Sequence, residues 1–315
     1  MRLRSLLAGA VLIAGFGRPA FVMAQSQEPG HAAEPLGPAQ IIMPHITDSK
    51  DIEYPCVKNL REWACEATLP TWNVQIGGKT VDMGLTKHVV FLLLAGVVTL
   101  ALLLSVAASH KRHSREVGRP KGFAAGIEAI ILYLRNEIYL PVLGGHGGEK
   151  YVPFCLTLFF FIMFCNLFGL LPWGSTPTGN IAVTATLAAI TFVVIEVAGM
   201  RALGKGYIST IIYWPHEGGP LLKAMTIIMT PVEIVGKITK PIALTIRLFA
   251  NMIAGHVIIL ALIGLIFMFG FKIFLAPLAM ALFIMLLEIL VAFIQAFIFS
   301  LLAAVFIGQI RSAHH

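Results

Sequence analysis

The 315-residue chain is 57% hydrophobic and only 12% charged, with a mean hydropathy of +0.84, which excludes a soluble globule. Its net charge of +7 does not point to nucleic acid, because the basic residues cluster between long apolar runs, as they do in the cytoplasmic loops of membrane proteins. No phosphate loop, dinucleotide fingerprint, zinc-ligand cluster, nucleophile elbow or internal repeat is present, so no cofactor or metal is expected.

In chain order, Arg2 and Arg4 precede an apolar run from Leu6 to Phe16, and Val22-Met-Ala24 offers a small-residue cleavage site. Residues 1–24 therefore read as a signal peptide, with an uncleaved anchor as the alternative. Residues 25–86 are polar, rich in Pro and Gly, and expected on the outer side of a bacterial-type membrane. They hold Cys56 and Cys65, which form either a disulfide or two free thiols; Cys155 and Cys165 sit in an apolar run as buried small hydrophobes. Residues 87–315 form the membrane-embedded region.

The first span runs from Val89 to Ser109, and the basic cluster Lys111, Arg112, Arg115, Arg119 and Lys121 marks its end as cytoplasmic. Gly122 to Leu140 mixes apolar residues with Glu128, Arg135, Asn136 and Glu137, which suits an amphipathic helix on the cytoplasmic surface. The second span, about Tyr151 to Pro172, ends at the interfacial Trp173. The third, Asn180 to Met200, contains Glu196 and is followed by Arg201 and Lys205. After a polar loop come two long helices, about Leu222 to Phe269 and Phe274 to Gln309, too long to cross upright and so strongly tilted, bent or partly outside the hydrocarbon. The fold class expected is all-α and polytopic, with five transmembrane helices, the N-terminal region outside and the C-terminus cytoplasmic.

Arg247 stands out because from Pro241 to Phe271 there is no other Lys, Arg, Asp or Glu. A guanidinium cannot shed its charge, and placing it at a helix centre costs roughly 2.5–3.5 kcal/mol on insertion scales. Glu233, Lys240 and Arg247 are spaced by seven and Asn251 follows four later, so these polar side chains share one helical stripe. Glu288 and Gln295 share a face of the last helix. His256 lies off the stripe and is expected to face that helix at the depth of Glu288, where a His and a carboxylate make a plausible proton relay. For Gln295, Glu196 and Asn251, simple bonding between helices stays open as the bland alternative, and snorkelling explains Lys240.

Three runs carry a resemblance. They are Pro231-Val-Glu233 through Lys240-Pro241 to Arg247-Leu-Phe-Ala-Asn251-Met-Ile-Ala-Gly-His256, then Gln295-Ala-Phe-Ile-Phe299, then Asn166-Leu-Phe-Gly-Leu-Leu-Pro172 with Thr176-Pro-Thr-Gly-Asn180. Together they resemble subunit a of the F-type rotary ATP synthase across most of residues 150–310. The resemblance implies a non-catalytic, ion-translocating subunit with two offset half-channels, working beside a c-subunit ring, with b-type peripheral stalk subunits and the rest of the complex as partners. It places Arg247 against the passing c carboxylates, Asn251, His256, Glu288 and Gln295 around the outer half-channel, and Glu233 at the cytoplasmic one. His256 and Glu288 reverse one familiar bacterial arrangement, in which the acid follows the Ala-Gly pair and the His lies on the last helix. Gly169 stands where some relatives have an acid. A secondary transporter with an anion site at Arg247 is the rival reading, although such transporters show repeats and broken helices that are not evident here. The coupling ion is open between H⁺ and Na⁺, with protons favoured.

Overall fold

In the computed structural model the described residues are 47–54, 65–71, 73–76, 79–82, 84–113, 123–171, 174–204, 206–207, 220–269 and 274–312. The expected signal segment, Cys56, Trp173 and the loop basic residues from Arg115 to Lys121 lie outside them.

Two antiparallel hairpins precede the helices, an addition to the all-α expectation. Strand β1 (Asp51–Tyr54) pairs with β2 (Cys65–Thr68), Asp51 opposite Thr68. Strand β3 (Asn73–Ile76) pairs with β4 (Lys79–Asp82), Asn73 opposite Asp82. The strands are four residues each with little periodicity, so nothing in the Pro- and Gly-rich composition announces them.

Helix α1 (Lys87–His113) is the first of five helices long and apolar enough to cross a membrane. Much of its surface is exposed leucine and valine, including Leu93, Val97, Leu100 and Leu104, as befits a helix facing lipid. Helix α2 (Phe123–Tyr133) runs into a π-helical turn, Leu134–Tyr139, and then a short α3 (Leu140–Leu143). The π turn exposes Arg135, Asn136 and Glu137 and buries Leu134 and Tyr139, which is the amphipathic division expected of a surface helix. Tyr139 sends its hydroxyl into the bundle, 2.7 Å from Ser300 Oγ, so neither buried hydroxyl is left unpaired. A one-turn α4 (Gly145–Gly148) and a 3₁₀ turn, Glu149–Tyr151, lead into α5 (Val152–Gly169).

Helix α5 is the most enclosed of the five and supplies Leu156, Phe159, Phe160 and Ile162 to the core. They meet Phe299, Ala303, Ala304 and Ile307 of the last helix, whose alanines let the backbones approach closely. After a 3₁₀ turn, Pro177–Gly179, Asn180 caps α6 (Ile181–Leu203) by accepting from the Ala182 amide at 2.9 Å.

The two long helices are α7 (Pro220–Phe269) and α8 (Leu275–Ser312), 50 and 38 residues. At 1.5 Å per residue they reach about 75 and 57 Å, against a hydrocarbon core of about 30 Å, so each must tilt, bend or extend beyond the hydrocarbon. Pro231 and Pro241 lie inside α7, and each removes one helical hydrogen bond. Helix α8 ends against the start of the α5 region, where Arg311 donates to the Leu143 carbonyl at 3.0 Å.

Where the chain enters α1, Asp48 accepts from the His88 amide at 3.3 Å, and His88 Nδ1 stands 3.1 Å from the same carboxylate oxygen. Lys87 N donates to the Ser49 carbonyl at 2.9 Å, so a segment some forty residues earlier satisfies the free amides of the first turn. Partial burial pushes the Asp48 carboxyl up, but the His88 ring, the Thr86 hydroxyl and the His88 amide outweigh it, and the group lies below the usual carboxylate range. A depressed folded value means the contact stabilises above the unfolded value of about 3.9 and is lost as pH falls through the lower folded value. Hydrogen exchange should therefore show the Lys87–His88 amides protected at neutral pH, with protection lost only under strong acid. Asp48→Ala should speed their exchange about five-fold at pH 7, the equivalent of about 1 kcal/mol of capping.

Candidate ion-translocation site

Along α7, Leu244, Leu248 and Met252 are buried and turn toward the bundle, while Ile242 and Ile246 are exposed. This division fixes the azimuth of the polar stripe. Glu233, Lys240, Arg247 and Asn251 are all exposed, beside that buried stripe, with Lys240 and Asn251 reaching α8. The exposed residues that flank Arg247, namely Ala243, Ile246 and Ala250, are apolar, with Asn251 one turn on.

Helix α8 returns antiparallel to α7 and brings its polar residues to the same level. Asn251 Nδ2 donates to Gln295 Oε1 at 3.0 Å. Glu288 lies against Gly255: a Cβ there would stand 2.5 Å from Glu288 Oε1 and 2.7 Å from its carboxyl carbon. The absence of a side chain at Gly255 is what admits the carboxylate between the two helices. His256, the next residue, is half-buried, so the depth match expected from the hairpin is present in the backbone. Glu288 and Gln295 are buried, at 6% and 2% exposure, yet Glu288 Oε2 and Gln295 Nε2 have no hydrogen-bond partner among the described residues. Buried polar atoms left this way are costly in a passive packing contact and suit a path that water or a proton enters.

Arg247 makes no hydrogen bond or ion pair among the described residues. Lys240 places its ammonium 4.7 Å from the Phe306 ring centre on α8, a cation–π contact beyond the snorkelling expected of it. Glu233 likewise has no ion pair among the described residues.

The run Asn166 to Asn180 has a positional role. Thr178 Oγ1 donates to Asn166 Oδ1 at 2.8 Å, and Asn166 Nδ2 reaches the Ala292 carbonyl at 3.5 Å, between Glu288 and Gln295 on α8. Gly169 packs directly on Thr176, so the site of an acid in some relatives is filled here by a neighbouring side chain. The motif locks α5, the 3₁₀ turn and α8 together at the level of the polar residues.

One ionic contact goes beyond the sequence reading. Lys237 Nζ is 3.4 Å from Glu196 Oε2 on α6 and 3.3 Å from the Tyr207 hydroxyl, with its ammonium 4.8 Å from the Tyr207 ring centre. Two unexplained charges on apolar helices, Glu196 and Lys237, were the available signal, but nothing in chain order says that α6 and α7 are neighbours.

A family model described as ATP synthase A chain matches residues 89–308. An ATP synthase subunit a from Chloroherpeton thalassium is 47% identical over 75% of this chain and 68% of its own length. Subunits of the same name from Anaeromyxobacter dehalogenans and Chlorobium phaeobacteroides are 43% and 42% identical, over 93% and 90% of this chain and 74% and 78% of their own lengths. With five membrane-length helices and the matched segment reaching from the first to the last of them, this multi-pass membrane protein belongs to the ATP synthase A chain family.

Proposed function

We propose that Arg247, Asn251, His256, Glu288, Gln295 and Glu233 carry out ion transfer in this chain, between two offset half-channels that open against a rotating c-subunit ring. As a member of its family the chain is a non-catalytic subunit of ATP synthase, and its function is proton translocation in the membrane sector. The observation that carries the residue-level reading is the exposure, on an apolar face, of an Arg247 unpaired among the described residues. Such a face bare to lipid would be strongly unfavourable, whereas a partner presenting a carboxylate at that depth satisfies it. A c-subunit ring with one ion-binding carboxylate per subunit fits that chemistry.

The steps follow from the charges. A proton enters from the outer side past Asn251, His256, Glu288 and Gln295 and neutralises a c carboxylate, which can then leave Arg247 and face lipid. After nearly a full turn the protonated carboxylate meets the second half-channel, where Glu233 takes the proton toward the cytoplasm. The returning carboxylate is ionised, and the guanidinium holds it in that state while its fixed positive charge keeps a proton from crossing directly between the half-channels. Each proton falling through 100 mV supplies about 2.3 kcal/mol for rotation. The N-terminal region lies outside, the C-terminus in the cytoplasm, and b-type stalk subunits hold the chain stationary against the ring in a bacterial inner membrane. The half-buried His256 on α7 and the buried Glu288 on α8 support H⁺ over Na⁺.

Arg247→Ala should abolish ATP-driven acidification of inverted vesicles while the complex still assembles; full pumping in that variant would sink the assignment. Gly255→Ala places a methyl group where the Glu288 carboxylate now sits, and pumping should drop on the order of ten-fold or more as the group is displaced. Exchanging the pair, with His256→Glu and Glu288→His together, should retain more pumping than either single change. A double variant no better than the worse single would separate the two residues functionally.

A further inference from the structure

Lys237 is a cation with two carboxylates in reach. Glu196 on α6 lies 3.4 Å from its ammonium, both side chains being less than a fifth exposed. Glu233 lies one turn earlier on α7, in the i, i+4 order that favours a Glu–Lys pair on an isolated helix. The structure resolves the competition in favour of Glu196, and Glu233 is left exposed with no ion pair among the described residues.

The choice is built into the packing. Lys237 turns toward α6, and its ammonium is held by three contacts at once: the Glu196 carboxylate, the Tyr207 hydroxyl and the face of the Tyr207 ring. Tyr207 is seated by Gly199, where a Cβ would stand 3.1 Å from the ring and 2.8 Å from Ile310 of α8. A glycine on α6 thus admits the tyrosine that completes the cradle. Among the described residues, three further cations are engaged or set apart. Lys240 sits over Phe306, Arg311 donates to the Leu143 carbonyl, and Arg201 is exposed at the end of α6.

We infer that Glu196 is a positioning residue: by holding the Lys237 ammonium against α6, it keeps that cation off Glu233 and leaves the Glu233 carboxylate open for proton exchange. This rests on the proposal above that Glu233 serves the cytoplasmic half-channel. Without Glu196, the lysine stem swings one turn back along its own helix and pairs with Glu233. With both charges removed, Glu233 is open again, although the bond between α6 and α7 is equally lost.

The test uses the whole complex in inverted vesicles, with pumping normalised to the amount of assembled complex. A water-soluble carbodiimide joins an amine to a carboxylate in contact with it, and peptide mapping by mass spectrometry identifies the partner. Lys237 should couple to Glu196 in the wild type and to Glu233 in Glu196→Gln. Pumping in Glu196→Gln should fall at least about two- to three-fold, the bias of an i, i+4 pair. It should recover in Glu196→Asp and in the double variant Glu196→Gln with Lys237→Gln. Absence of the Glu233 adduct in Glu196→Gln, or a double variant as impaired as the single, overturns the inference and leaves a plain brace between helices. Glu233→Gln alone tests the underlying reading: unchanged pumping removes Glu233 from the ion path, whatever the adduct map shows.

Discussion

A guanidinium that cannot lose its proton, fixed on an apolar surface, is the constraint around which the rest of the molecule is arranged. Hydrocarbon offers no hydrogen bonds, so every other charge and buried polar group must be satisfied inside the chain or lie where a partner or water can reach it. Arg247 takes the second course. Leu244, Leu248 and Met252 hold the neighbouring face of α7 in the bundle, and Arg247 beside them stays exposed. The spacing of seven along a helix of about 75 Å carries one continuous stripe from Glu233 to Asn251.

Polar groups within the bundle fall into two kinds. Some are fully engaged: Tyr139 with Ser300, Thr178 with Asn166, Lys237 with Glu196 and Tyr207. Removing one partner of such a contact leaves an uncompensated buried group, which is why they serve as fixed points for helix placement. Others are engaged on one side only. Gln295 accepts from Asn251 yet keeps its amide nitrogen unpartnered, and Glu288 is buried with a carboxylate oxygen unpartnered among the described residues. These half-satisfied groups lie where α7 meets α8, at the levels of Asn251 and Gly255. The same architecture thus holds a rigid frame and a strip of polar atoms with capacity to spare.

Much of this was legible in the chain itself. Five apolar runs, the amphipathic 122–140 segment and the excessive length of the last two helices follow from hydropathy and a fixed rise per residue, and the structure reproduces them within a few residues. The spacing of seven placed Glu233, Lys240 and Arg247 on one stripe, and the antiparallel return brought residue 288 to the level of 255 and 256. The paired strands before α1 were not legible, because four-residue strands leave too short a pattern. The π turn at Leu134–Tyr139 was hidden as well, since it carries a contact of Tyr139 with Ser300, more than 160 residues away.

The information legible along the chain is therefore one-dimensional: which segments cross, which residues share a helical face, and that one cation has no cheap excuse for being there. Only the tertiary structure decided which helices are neighbours, and with that which charges meet. Lys237 turns to Glu196 and away from Glu233, Asn166 anchors α8 between Glu288 and Gln295, and Gly255 and Gly169 matter for what lies against them. Helical periodicity fixes direction around a single axis, but contact between axes depends on side-chain volumes that must interlock, and glycine and alanine mark the close approaches only once both surfaces are known.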